Sequence, residues 1–275
     1  MPLSGLARTA ADVMVSRATE GGSQNFLGAR WVEWLVANAP RSARERVALR
    51  ALSLSPHYFY SSDLAGEDAR SRQSRRILAD DLIAPLLAPG ALVVDYGCGP
   101  GYLAAAVARH AAHVAAVDIS PGALACARVL NGRINITYQT PDQFRAGGVP
   151  VDLAYSFAVA QHLRTTVLSS ALATLARALR PGGTLLLHFA VPGECGYRTE
   201  RQWLSDDSPA GRARLRYGLN CFGRSAAEMA SLVTRCGFGE VATEPLGGRV
   251  TIDGDDLADQ YLLTARRAAP VAGAS

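Results

Sequence analysis

The sequence contains no lysine, so all 28 of its Lys and Arg positions are arginine, a compositional bias that carries no chemistry. Cysteine is scarce, with five residues at 98, 126, 195, 221 and 236, no Cys-x-x-Cys and no His-rich partner spacing. That excludes a disulfide framework, argues against a zinc site and fits a reduced, cytoplasmic setting. No apolar run reaches the ~18–20 residues of a membrane span. The first 24 residues mix arginine with acidic side chains and lack a continuous apolar core, so no signal peptide is expected. Excess charge is also lacking: a net +4, scattered along the chain, gives no reason to expect nucleic acid. What remains, 49% apolar and 19% charged residues, is the make-up of a soluble globular protein.

Small, polar or Ala-rich ends over 1–24 and 268–275 read as loose termini. Between them the chain divides into a helical cap over 25–88 and a main domain over 89–267. In the cap, Phe26, Leu27, Trp31, Trp34 and Leu35 fall at helical spacing ahead of Pro40. A further cap helix is predicted over 71–87, with Ile77, Leu78, Leu82, Ile83 and Leu86 as its stripe. The main domain alternates short apolar strands with helices at βαβ spacing. ALVVDYG, HVAAVDI, NITYQT, VDLAYSF and TLLLHFAV read as strands, with EVATEPL and DQYLLTARR as the last two. Residues 192–222 break the rhythm. They are polar, Arg-rich and too long for an ordinary connection, and read as an insertion over the carboxyl end of the sheet. Ser225 and Glu228 have capping-box spacing before the helix that follows.

The first strand runs into Asp95, Gly97, Cys98, Gly99 and Gly101, with a helix starting at once. Glycines let the backbone turn sharply and approach a ligand, and free amides at the helix start favour a polar or negative group. A tight strand-to-helix turn alone would use the same residues. Asp118, at the tip of the second strand, is placed to accept both hydroxyls of a ribose. Asp142 follows the third strand and could accept from an adenine amino group; an exposed loop aspartate would look the same. A dinucleotide site would show G-x-G-x-x-G, whereas here the third glycine comes one residue early. Asp95 before the loop suits a cationic amino acid and would repel a pyrophosphate.

Taken together, VVDYGCGPG, AAVDIS, the PDQF segment, AYSFAVAQHL and LRPGGTLLLHF resemble, in order and spacing, the five motifs of the class I S-adenosylmethionine-dependent methyltransferase family. The resemblance covers about residues 72–191 and resumes over 224–267. It implies an α/β, Rossmann-like, seven-stranded and mostly parallel sheet with a reversed last strand. It also implies S-adenosyl-L-methionine as cofactor, with Gly97 and Gly99 against the methionine part and Asp118 on the ribose. Asp142 and Gln143 would flank adenine and Ser156 would end the cofactor floor, with Cys98 and Ile119 counted in the same site.

Methyl transfer from a sulfonium needs alignment and a dry site, and a hydroxyl acceptor also needs a base. His162, just beyond the fourth strand, is the candidate base, with a structural role as the alternative. His188, inside an apolar strand, reads as a core histidine. His57, Tyr58 and Tyr60 either close over the cofactor or pack. No carboxylate ends the fourth strand, where Ser156 and Phe157 stand, which disfavours a catalytic metal. The Asn/Asp-Pro-Pro-aromatic motif of base and amide N-methyltransferases is absent too. The reading is therefore O-methylation of a small-molecule hydroxyl on a secondary metabolite or sugar-containing compound. N- or C-methylation, or a cofactor-binding accessory protein, stand as alternatives. Arginines 198, 201, 212, 214 and 216 would meet an anionic group or form a solvated lid. No membrane partner is expected, and a homodimer is compatible with the sequence.

Overall fold

A computed structural model describes residues 30–53, 58–59, 61–148, 150–193, 197–216, 220–247 and 260–268. Of the termini read as 1–24 and 268–275 only Ala268, which donates to the Gly237 carbonyl, is described; the rest, together with Phe26, Leu27, His57 and Tyr60, lie outside the described residues. Seven strands form one sheet: β1 Leu92–Tyr96, β2 His113–Val117, β3 Ile136–Gln139, β4 Val151–Ser156, β5 Leu179–Ala190, β6 Phe238–Pro245 and β7 Gln260–Arg267. Their order is β3-β2-β1-β4-β5-β7-β6. β1 to β5 run parallel, and β7 is antiparallel to both β5 and β6. This is the sheet with a reversed last strand that the resemblance implied. The order reverses between β1 and β4, so the carboxyl ends of these strands flank the crevice where ligands of open α/β sheets bind.

Strand periodicity sorts the core. Val93 points with Val114, Ala116, Leu153 and Tyr155 to one face, and Val94 with Val117, Ala154 and Leu185 to the other. The first face is covered by α3 (Leu64–Leu78), its π-helical continuation Ala79–Ile83, α4 (Tyr102–Val107) and α5 (Pro121–Leu130). The second is covered by α6 (Pro141–Gly147), α7 (Thr165–Ala178) and α10 (Ala226–Arg235). Capping sets the helix starts: Ser120 receives the Ala123 amide with Pro121 at the first turn, and Ser225 with Glu228 forms the predicted capping box. α6 was not read from the sequence. It is seven residues long and starts on a Thr140–Gln143 capping box.

The cap departs from its sequence reading in two places. α3 begins at Leu64, capped by Asp63, about two turns before the predicted 71. In α1 (Arg30–Asn38), Trp31 and Trp34 are 46% and 66% exposed, while Val32 and Val36 face inward. α1 and α2 (Arg44–Ser53) pack on α5, whose contact face is Ala123, Ala125 and Cys126. Such a flat, small-residue surface brings helices close and admits valine better than tryptophan. Each fully buried Val32, Val36, Leu52 or Phe59 contributes roughly 1.5–3 kcal/mol to that docking.

Candidate active site

The glycine loop hangs from β2 as much as from β1. Gly97 and Cys98 both donate their amides to the Val117 carbonyl, at 2.7 and 3.0 Å. Gly97 has φ +88°, and a Cβ there would lie 2.3 Å from Val159, so only glycine fits. Val159 belongs to the segment after β4, which therefore rests directly on the loop. Gly99 donates its amide to Asp118 Oδ2 at 2.8 Å, and the ring of Tyr58 from the cap lies against the same glycine. The sequence reading left Tyr58 between closure and packing; its ring is at the loop.

Asp118 accepts a second amide, from Ser120 onto Oδ1 at 2.8 Å. Burial raises its pKa, and the Ser120, Gly99 and Ile119 amides pull the other way. A carboxylate has about four acceptor positions, so capacity remains beyond the Gly99 and Ser120 amides for a diol. Ile119 beside it is 73% exposed, an apolar face at the rim. Asp95 is buried, and its Oδ2 has no hydrogen-bond partner among the described residues. Burial lifts its pKa to about 8; the Tyr155 hydroxyl offsets part of the rise, and Asp118 adds to it. Tyr155 approaches without reaching hydrogen-bond geometry, so its hydroxyl is unpaired as well. An orphaned acid under a glycine loop fits a ligand that brings a cationic amine.

The adenine side is less committed. Asp142 is exposed and paired with Arg145. The Gln143 side chain is engaged by the Thr140 amide as half of the α6 capping box. Ser156 donates to the Tyr96 carbonyl at 2.7 Å, which ties the end of β4 to β1. Cys98 is buried, its thiol pushed up by desolvation. Among the described residues no group of three or more His, Cys, Asp or Glu is arranged to hold a metal.

Beyond β4 the chain makes a sharp turn at Ala158, φ +59°, a conformation costly for any residue with a Cβ. It is stabilised by His188. The Ala158 amide donates to Nδ1 at 3.1 Å, so the ring proton sits on Nε2, which donates to Gln260 Oε1. Gln260 in turn donates to the Tyr197 hydroxyl at 3.2 Å, and Phe157 stacks on the imidazole with ring centroids 4.2 Å apart. His188 is thus the satisfied core histidine expected from its strand, and its hydrogen bond goes to the site's own backbone. Desolvation lowers its pKa to about 4.

His162 closes the 3₁₀ turn Ala160–His162. Its Nδ1 lies 3.0 Å from the Asn220 carbonyl, which can only accept, so Nδ1 carries the proton and Nε2 is the basic nitrogen. Burial lowers the pKa, and the Asn220 contact opposes it. The return of the insertion, Asn220 to Arg224, is stitched to this turn. Phe222 donates to the Gln161 carbonyl at 2.6 Å and Arg224 to the Ala190 carbonyl at 2.9 Å. The buried Arg224 guanidinium binds the Ala160 and Leu163 carbonyls at 2.9 and 2.6 Å and sits 3.5 Å from Glu200. The sequence reading missed Arg224 because only its carbonyl partners, some sixty residues upstream, reveal the role.

The insertion contains α8 (Glu200–Leu204) and α9 (Pro209–Arg216), with Trp203 buried and donating to the Cys221 carbonyl at 2.8 Å. Two of its arginines are engaged within the insertion itself. Arg198 pairs with Asp206 at 2.7 Å and covers Trp203, while Arg212 donates to the Asp207 carbonyl. Two surface grooves, of about 320 Å³ beside Gly182 and Arg266 and about 620 Å³ beside Glu33, Arg44 and Arg128, lie away from every residue of this site.

Residues 93–183 match the family described as methyltransferase domain. Ribosomal protein L11 methyltransferase of Dechloromonas aromatica is 43% identical over 100 residues, 34% of this chain and 31% of that protein. Ubiquinone biosynthesis O-methyltransferase of Xylella fastidiosa is 32% identical over 103 residues, 36% of this chain and 41% of that protein. The chain thus spans well under half of the length of these relatives. Magnesium protoporphyrin IX methyltransferase from Synechocystis PCC 6803, crystallised with bound SAH, superimposes with a TM-score of 0.52 at 20% identity, covering 83% of this chain and 98% of that one. Among the described residues no helix is long and apolar enough to cross a membrane. The glycine loop, the sheet order and the matched segment together place residues 93–183 in the class I, Rossmann-like family of S-adenosylmethionine-dependent methyltransferases.

Proposed function

We propose that this chain transfers a methyl group from S-adenosyl-L-methionine to a hydroxyl of a small molecule, a secondary metabolite or a sugar-containing compound. The donor supplies an electrophilic methyl on a sulfonium. Asp95 would hold its amine, Asp118 its ribose, and Ile119 one face of its base; Asp142 stays in solvent beside that base. The observation that carries the acceptor side is the contact of Val159 with Gly97. It rests the segment that leads to His162 on the donor loop, and a group at His162 Nε2 would then face the departing methyl. Burial keeps His162 neutral at pH 7, the form a general base requires.

His162 would take the proton of an acceptor hydroxyl held at Nε2, making it a nucleophile for the methyl that the donor supplies. With Arg198 and Arg212 engaged elsewhere, an uncharged acceptor is favoured over an anionic one. The test is calorimetry with the donor, followed by transfer of a labelled methyl to a panel of hydroxylated metabolites. His162→Ala should keep donor affinity and slow transfer by about 10²-fold or more. The wild-type rate should fall only below the ordinary histidine range near pH 6.5, because the fold lowers the pKa of the base. A loss under tenfold with an unchanged pH profile would return His162 to a packing role. Label recovered on nitrogen or carbon would replace the O-methyl reading.

A further inference from the structure

The donor loop is held from behind by a residue that no motif marks. Asn131, buried at the carboxyl end of α5, donates from Nδ2 to the Pro100 carbonyl at 2.8 Å. Its Oδ1 accepts from Arg72 at 3.0 Å. A guanidinium only donates and a carbonyl only accepts, so the amide has a single orientation here. The backbone carbonyl of Asn131 accepts the Tyr138 hydroxyl at 2.9 Å. That hydroxyl fills the space where a Cβ on Gly101 would stand, 2.5 Å away, at a φ of +80° that itself calls for glycine.

The other end of the connection is in the cap. Arg72 lies on α3, donates to Asp68 at 2.8 Å and to the Leu130 carbonyl at 3.1 Å, and covers the Tyr102 ring at 5.5 Å. Tyr102, the first residue of the helix after Gly101, donates its hydroxyl to the same Asp68 at 2.7 Å. One cap helix therefore grips Tyr102 directly and Pro100 through Asn131. These two residues flank Gly101.

We propose that Asn131 is a positioning residue of the donor site, and that α3, acting through Arg72, sets donor affinity by fixing the Pro100–Tyr102 segment. The inference rests on the donor reading above and adds the cap to it. Asn131→Asp separates positioning from packing. It keeps the shape and strengthens the contact with Arg72, yet it removes the donor to Pro100 and sets an oxygen against that carbonyl. Arg72→Gln, on a half-exposed side chain, is the second variant.

The experiment is isothermal titration of the full chain with S-adenosylhomocysteine, with thermal unfolding of the same samples. Asn131→Asp should bind at least about tenfold more weakly, the scale of one hydrogen bond left unmade. Its Tm should stay within a few degrees of wild type. Arg72→Gln should lose about three- to tenfold, and the double variant less than the product of the two, because both act on one segment. Wild-type affinity in both single variants overturns the proposal while leaving the donor reading intact. Should either variant unfold early, protection of the Cys98–Leu103 amides from hydrogen exchange in the other decides: loss supports the proposal, and full protection overturns it. A wild-type chain that does not bind S-adenosylhomocysteine overturns the donor reading and this inference with it.

Discussion

The two halves of the crevice are built in different ways. On the donor side, Asp95, Gly97, Gly99, Asp118 and Ser120 lie within one βαβ unit, and much of the chemistry is done by backbone amides bonded across β1 and β2. On the acceptor side, His162, His188, Asn220, Arg224 and Gln260 come from segments far apart in the chain, joined through their side chains to backbone or to one another. A site made largely of local backbone depends on few side chains elsewhere, here the brace that Arg72 and Asn131 put behind the loop. One made of long-range side-chain bonds depends on a few residues, and losing any of them should disturb that half alone.

The sharpest way to break this comparison is Arg224→Met. It orphans the Ala160 and Leu163 carbonyls and leaves Glu200 without its buried partner, a loss of about 3–5 kcal/mol in unfolding stability. Donor affinity should change by less than about threefold, within the usual additivity error for separated sites. A large fall in affinity measured by calorimetry would show that the halves are coupled. Asp118→Ala strikes the other half. It removes a carboxylate that holds the loop and accepts the ribose, so donor binding should weaken by about 1.5–3 kcal/mol. Exchange protection around His162 should stay as in wild type; its loss would erase the distinction.

How far each half could be read from sequence follows from the same contrast. The seven-stranded sheet was legible through the resemblance of the ordered motifs, and the donor candidates through local signals, glycine spacing and a strand-end aspartate. His162 was found by its place after β4, but its proton-bearing nitrogen was fixed only by the carbonyl of Asn220, fifty-eight residues on. Arg224 and Asn131 had no signal at all, since nothing in a sequence tells a buried arginine or asparagine which carbonyl it meets. The α1 stripe misled for a different reason: both faces of that helix are apolar, and the Ala-rich α5 chose the smaller side chains.

A finer probe is the pH dependence of donor affinity. With a pKa of about 8 in the free protein, Asp95 is mostly protonated at neutral pH, and a cationic amine needs it ionised. Affinity should therefore rise between pH 6 and 8 by up to about tenfold per unit, and Asp95→Asn should flatten that slope. A slope that persists in the variant would point to another group. The smallest expected effect belongs to Gln143. Its side chain closes a capping box, so Gln143→Ala should cost about 0.5–1 kcal/mol of stability. A donor affinity lowered more than threefold by this change would instead return Gln143 to the adenine.

His188 has a consequence for the conditions the molecule withstands. The fold admits only its neutral form, with a pKa near 4, whereas an unfolded chain would bind a proton below about 6.5. The stability it contributes is complete above pH 6.5 and drains away as the solution is acidified towards pH 4. Near pH 5 the deficit reaches about 2 kcal/mol. Acid would thus act at β5, inside the sheet, and the strained turn at Ala158 would lose the acceptor that holds it. An acidic step in handling would weaken the acceptor side while the surface ion pairs still stood.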